Sequence, residues 1–305
     1  MAPGAPSLGA TSRRWGEKAI RAGLFGAAAI SVLTTIGILV ALLRETISFF
    51  GEVGIDRFLF DGEWAPLFSP SQYGIWQLIN GTFLITGIAC LLAIPLGLGS
   101  AIYLSEYASP RVRRVFKPVL EVLVGVPTII FGFFALTLVT PEILQAFLGL
   151  DVQIFNALAA SIVMAIMILP TIASISEDAM SAVPQGLREG AFGMGASKLQ
   201  VSTRVVFPAA LSGIVAACVL GISRAIGETM IVLIAAGQQP NSGINPTEPF
   251  ETIAAFIAAT GKGDLPTGST EYQTIFAAGT TLFFLTLIFN AIAIRFVRKY
   301  RQVYE

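Results

Sequence analysis

Histidine is absent from all 305 residues, which removes imidazole acid–base chemistry and the commonest transition-metal ligand. Cysteine is nearly absent: Cys90 and Cys218 lie in separate apolar stretches, where isolated thiols read as small packing residues rather than as a disulfide or metal ligands. Charge is scarce as well, at 12% of residues, about half of what a soluble domain carries. The formal net charge is zero, so no basic field points to nucleic acid. No Gly-x-x-x-x-Gly-Lys-Ser/Thr run exists. The nearest stretch, Gly261-Lys262-Gly263, lacks the spacing and the hydroxyl residue, so ATP hydrolysis cannot be assigned to this chain.

What is present is apolar length. The chain is 54% hydrophobic with a mean hydropathy of +0.76. Six runs reach the roughly 20 residues that a spanning helix needs. They are Ala19–Leu43, Ile75–Tyr103, Val115–Val139, Ile154–Ile175, Phe207–Ala236 and Thr274–Ile294. The pattern predicts an all-α polytopic membrane protein of about six transmembrane helices, solvated by membrane lipid, with no room for a separate soluble catalytic domain. Residues 1–18, rich in Gly, Pro and Ser and then basic, read as a flexible cytoplasmic tail, and 19–305 as the transmembrane domain. The first apolar run is too long for a signal-peptide core, which favours an uncleaved first helix.

Lys and Arg set the orientation. With the N-terminus in the cytoplasm, the inside holds Arg13, Arg14, Lys18 and Arg21; then Arg111, Arg113, Arg114 and Lys117; then Arg188, Lys198 and Arg204; and finally Arg295, Arg298, Lys299 and Arg301. The outside receives only Arg44, Arg57 and Lys262, so both termini are expected inside. The outer connections 44–74 and 238–273 carry Glu45, Glu52, Asp56, Asp61, Glu63, Glu248, Glu251, Asp264 and Glu271. They fit either a docking surface for an extracytoplasmic partner or simple solvated acidic loops.

Arg224 and Glu228 interrupt the fifth apolar run. An ionisable residue in hydrocarbon costs roughly 2.5–3.5 kcal/mol on insertion scales, which marks it as a functional candidate. Four residues apart on one helix, the two are expected to share a face and to pair. A pair that fixes helix packing and a guanidinium that meets a passing anion both remain open. Glu121 lies at the inner end of the third run and reads as an interfacial acid near Arg113, Arg114 or Lys117. Pro95, Gly97, Gly99, Gly125, Pro127 and Gly132 fit either close packing or a bending gate.

The largest inside connection, about 177–208, reads Val183-Pro184-Gln185-Gly186-Leu187-Arg188-Glu189-Gly190-Ala191-Phe192-Gly193-Met194-Gly195 and ends in Val205-Val206-Phe207-Pro208. Glu189-Gly190-Ala191, then Gly195, then a hydrophobic stretch closed by proline resembles the EAA loop of ABC-importer permeases. Gly190 stands where that family has its first Ala, and Val205 and Phe207 replace the usual Ile and Leu. Ser223-Arg224-Ala225-Ile226-Gly227-Glu228-Thr229-Met230 and Val124-Gly125-Val126-Pro127-Thr128 are similar to segments of phosphate-specific importer permeases. The 58–70 insertion is more like the PstC-type subunit than the PstA-type.

The resemblance implies a type I ABC-importer permease fold in a bacterial inner membrane. It implies an ATPase-coupling surface at Glu189, Gly190, Ala191 and Gly195, and a substrate path that includes Arg224, Glu228, Thr229 and Thr128. Its implied partners are a second permease of PstA type, two ATP-binding subunits of PstB type and an extracytoplasmic phosphate-binding protein of PstS type, with inorganic phosphate as cargo. No cofactor or nucleic acid is implied. Rival readings are a permease for sulfate or molybdate, a gradient-driven carrier using Glu228 as its coupling carboxylate, and a scaffold or phosphate sensor without flux.

Overall fold

The structure, a computed structural model, describes residues 15–263 and 265–300. The tail expected over 1–18 therefore lies outside the described residues as far as residue 14, whereas residues 15–18 already belong to the first helix, α1 (Trp15–Glu52). Its 38 residues extend to about 57 Å, well beyond a hydrocarbon core of roughly 30 Å. After α2 (Ile55–Phe60), two short strands, β1 (Trp64–Ala65) and β2 (Gln72–Tyr73), pair antiparallel with Trp64 opposite Tyr73. The stretch read as an acidic loop is thus a structured cap. Phe49, Phe58, Trp64, Tyr73, Ile75, Leu78 and Phe256 bury each other there, with Trp64 and Phe256 edge-on at 5.0 Å.

From this hairpin end, α3 (Trp76–Ile102) crosses the molecule and closes in a wide turn over 103–107. Ser109 caps α4 (Pro110–Val124), whose first position is a proline. Next comes α5 (Thr128–Phe134), continued by wide turns through Phe147. The third span expected at Val115–Val139 is therefore displaced: the apolar crossing is Thr128–Phe147, and 110–124 forms a separate amphipathic helix. The cause lies at Gly125-Val126-Pro127, where Pro127 lacks a donor and adopts an extended ψ of 130°.

The central element is α6 (Ala157–Ser181), capped by the fully buried Asn156, whose Oδ1 accepts from the Ala159 N–H at 2.7 Å. It packs against α3 and against α10 (Leu211–Ile226). Ile172 of α6 sits between glycines of both neighbours. A Cβ on Gly97 would lie 3.0 Å from its Cγ2, and one on Gly221 2.8 Å from its Cγ1. Small residues at these positions let three helix backbones approach where lipid supplies no hydrophobic drive. Gly132 plays the same part against Ile234, whereas Gly99 faces open space.

Beyond α6 lie α7 (Gln185–Gly193), α8 (Lys198–Val201), a wide turn over 202–206 and α9 (Phe207–Ala209). The segment 198–209 meets α10 at a bend of 73°. The expected fifth span, Phe207–Ala236, is thus not one helix: α10 stops at Ile226 and helical geometry resumes only from Met230 through Ala236. The chain then forms a strapped loop, α11 (Ile253–Thr260) and the last helix, α12 (Thr270–Tyr300). Among the described residues, five helices are long and apolar enough to cross a membrane, and six if the bent pair forms one span.

Candidate functional site

Two features carry chemistry, and they lie in different parts of the fold. The first is the surface around α7. Pro184 precedes its first turn, and Gly195 ends it at φ +84°, the left-handed region that disfavours a side chain. The Gly195 N–H donates to the Phe192 carbonyl at 2.9 Å and the Ala196 N–H to the Ala191 carbonyl at 3.1 Å. This pair of bonds is a Schellman closure, and it explains why a glycine stands four residues after Ala191. Ala191 faces inward at 5% exposure, among Met180, Val183, Val201, Val206 and Ile214. Glu189 and Gly190 face out, and a Cβ on Gly190 or Gly193 would meet nothing within 4 Å. The motif divides by face: Ala191 and Gly195 build the helix into the protein, while Glu189 and Gly190 remain open to a partner.

What anchors this helix was not singled out from the sequence. Arg188 reaches back to Glu106 at 2.9 Å and donates to the carbonyls of Met180 and Val183. Their side chains are only 11% and 8% exposed, so this is a buried pair with further hydrogen bonds to the guanidinium. A second cluster ties α4 to α6. Glu177, 1% exposed, takes Lys117 at 3.0 Å, Arg113, and the Ser181 hydroxyl at 2.8 Å. Lys117 also pairs with Asp178, and that hydrogen bond raises the pKa of the ammonium. Glu121 shares a surface groove with Arg113, Arg114 and Lys117, but the acids that pair with this basic cluster are Glu177 and Asp178. The sequence did carry a signal: Glu106 and the Glu177-Asp178 pair are acids just past the ends of long apolar runs.

The second feature is the break after α10. Gly227 ends the helix, and the Glu228 N–H closes back on the Ala225 carbonyl at 3.2 Å. Glu228 is 8% exposed, and its Oε1 accepts from the N–H groups of Met230 at 3.0 Å and Ile231 at 3.3 Å. It therefore caps the helical segment that follows, so the expected Arg224–Glu228 ion pair does not form. The break puts the two side chains on different elements, and the i, i+4 relation on which pairing depended is lost. Arg224 lies in the last turn of α10, where a cation complements the carbonyl end of the helix dipole. It is half-buried and makes one long contact, Nη1 to the Thr171 hydroxyl at 3.4 Å.

Thr229 donates to the Gly227 carbonyl at 3.2 Å and so belongs to the break itself. Thr128 opens α5, one turn before Gly132, which packs on Ile234 and the Met230 carbonyl. It makes no hydrogen bond with Arg224 or Glu228. At this broken apolar helix a cation sits at the carbonyl end, and Glu228 accepts from two of the amides that open the next helical segment. One guanidinium is left with donors to spare, suited to an anion with several acceptor oxygens.

Comparison with known proteins places the chain among relatives. Residues 93–302 match the family described as binding-protein-dependent transport system inner membrane component. The chain is 36% identical over 267 residues to the probable ABC transporter permease protein YqgH of Bacillus subtilis (strain 168), covering 84% of each. It is 33% identical over 288 residues to the phosphate transport system permease protein PstC of Mesorhizobium japonicum, covering 88% of this chain and 86% of that protein. In fold it is similar to a chain from a bacterial ABC transporter involved in import of the acidic polysaccharide alginate. The TM-score there is 0.67 at 16% identity, over 95% of this chain and 100% of the other.

Proposed function

Since the chain belongs to the family of binding-protein-dependent transport inner membrane components, we propose that it is the PstC-type membrane-spanning subunit of an ATP-driven phosphate importer. The observation that carries this reading is Arg224, a guanidinium in a broken apolar helix whose expected acidic neighbour is engaged elsewhere. Phosphate is a mono- or dianion with several acceptor oxygens, and a planar fork can engage two of them. Similarity to PstC proteins over most of the chain supports phosphate as the cargo. Sulfate or molybdate is the second reading, since the name of the Bacillus relative specifies no substrate.

In this reading both termini face the cytoplasm and residues 19–305 form the permease domain. The path runs past Arg224, with Thr128, Thr229 and the Glu228 cap shaping it. Glu189 and Gly190 present the coupling surface, built on Ala191 and Gly195, to a separate ATPase subunit. This chain supplies no ATP site of its own. Displacement of α7 by the ATPase would pass through Arg188–Glu106 to α3, and through the Ile172 contacts to α6 and α10. The assembly would comprise a PstA-type permease, two PstB-type ATPases and a PstS-type binding protein outside the membrane.

The test is labelled phosphate uptake into proteoliposomes that hold the assembled complex, with and without internal ATP. Uptake that needs ATP, resists excess sulfate and disappears in Arg224→Ala supports the proposal. Uptake indifferent to ATP would point to a gradient-driven carrier. Sulfate competition would move the cargo to another oxyanion.

A further inference from the structure

At the hairpin end, Glu251 is buried at 6% exposure, yet its carboxylate forms no hydrogen bond or ion pair among the described residues. Its backbone is held firmly. The Glu251 N–H donates to the Gln239 carbonyl at 3.0 Å, and its own carbonyl is pressed against Gly81 of α3, where any Cβ would collide with it. Nearby Glu248 has both oxygens occupied, by Asn241 at 3.1 Å and Asn245 at 3.0 Å. Glu251 instead lines a cavity of about 350 Å³ whose other walls include Trp64, Leu67, Phe256, Gln238 and Thr260. The indole N–H of Trp64 is likewise buried without a partner.

Glu251 has no partner within the described residues, so its charge is met only by what fills the cavity, whether a proton, water or a cation, and an unmet charge there would cost several kcal/mol. Burial pushes Glu251 up to about 7, so near neutral pH the two states are close in free energy. The walls decide which cation fits. A calcium or magnesium ion needs six or more oxygen ligands, and no group of three or more His, Cys, Asp or Glu gathers to hold a metal among the described residues. An anion would meet a carboxylate among the aromatic side chains of Trp64, Phe68 and Phe256. An ammonium on an aliphatic stem fits the carboxylate and the apolar wall, with donors for Glu251 and methylenes against Leu67 and Phe256, although the Trp64 indole N–H stays unpaired.

We propose that this cavity is a binding site for an alkylammonium group, carried either on a free amine or on a lysine side chain of a protein docked at the hairpin end. The cavity shares no lining residue with the break after α10, and the proposal does not depend on phosphate as cargo.

The probe is n-butylammonium, with n-butanol as its neutral counterpart, titrated against the purified complex by saturation-transfer NMR. Saturable n-butylammonium binding is expected, with n-butanol at least tenfold weaker. Glu251→Gln should weaken the ammonium at least tenfold without changing n-butanol. Binding should also weaken as pH falls from 8 to 6, since Glu251 is the only titratable side chain among the described residues lining the cavity. Equal affinity for wild type and Glu251→Gln, or for the two probes, overturns the proposal. Should that variant fail to assemble, carbodiimide coupling on the wild-type complex replaces it. A Glu251 butylamide, or a Glu251–lysine cross-link to the docked binding protein, supports the site and identifies the source of the amine. An unmodified Glu251 beside modified surface carboxylates overturns it.

Discussion

The guanidinium of Arg188 lies 2.9 Å from the carboxylate of Glu106, joining the helix that faces the ATPase in the proposed assembly to the end of α3. Removing one member of a buried pair leaves the other uncompensated and costs roughly 3–5 kcal/mol, while removing both costs less. Arg188→Met should therefore lower the thermal unfolding midpoint and reduce ATP-driven uptake. The double variant Arg188→Met with Glu106→Gln should regain part of the stability but not the coupling. Full uptake in the double variant would show that the pair is not the mechanical link.

Glu228 acts as a helix cap, which predicts an ordering of variants. Glu228→Gln keeps an acceptor for the Met230 and Ile231 amides and should cost less than about 1 kcal/mol, while Glu228→Ala should cost about 1–2 kcal/mol. A double-mutant cycle with Arg224→Met should give a coupling energy within about 0.5 kcal/mol of zero, as for groups that do not interact. A large coupling in unfolding experiments would restore the direct pair.

The glycines around α7 separate folding from docking. Gly195, at φ +84°, should not tolerate alanine, with a loss of about 1–2 kcal/mol. At Gly190 a bulky residue meets nothing within the chain, so Gly190→Trp should leave the unfolding midpoint nearly unchanged. The same variant should fail to co-purify with the ATPase subunit. Normal co-purification would place the coupling surface elsewhere.

Burial raises Glu251 from an ordinary 4.5 to about 7. The folded protein then binds that proton more tightly than the unfolded chain does. Its contribution to stability is complete below about pH 4.5, falls as pH rises through the window to about 7, and stays low above it. The full difference amounts to about 3 kcal/mol. Glu251→Gln should therefore be more stable than wild type at pH 8, with the gap closing toward pH 5. Thermal melts of both proteins across that range decide it, and a gap that widens at low pH would contradict the burial argument.

Much of the membrane architecture was legible in apolar run lengths, because a spanning helix must bury about 20 residues whatever it packs against. The EAA-like spacing likewise located α7, and its Gly195 follows from a local closure that uses only neighbouring backbone groups. Breaks inside apolar stretches were not legible. Gly125–Pro127 and Gly227–Thr229 are each only three residues long, too short to bring the average of a window of about 20 residues below the spanning level.

Composition and local spacing determined that this chain is helical and membrane-spanning, and where its EAA-like loop and the charges within its apolar runs lie, since each of these depends on neighbours in sequence. Tertiary structure alone decided the pairings. Arg188 meets Glu106 across 82 positions, and Lys117 meets Glu177 across 60. Glu228 turns to backbone amides instead of Arg224, and Glu251 is left without a partner beside a cavity. Which charge meets which in a low-dielectric interior is set by the convergence of distant helices, and sequence separation says nothing about that distance.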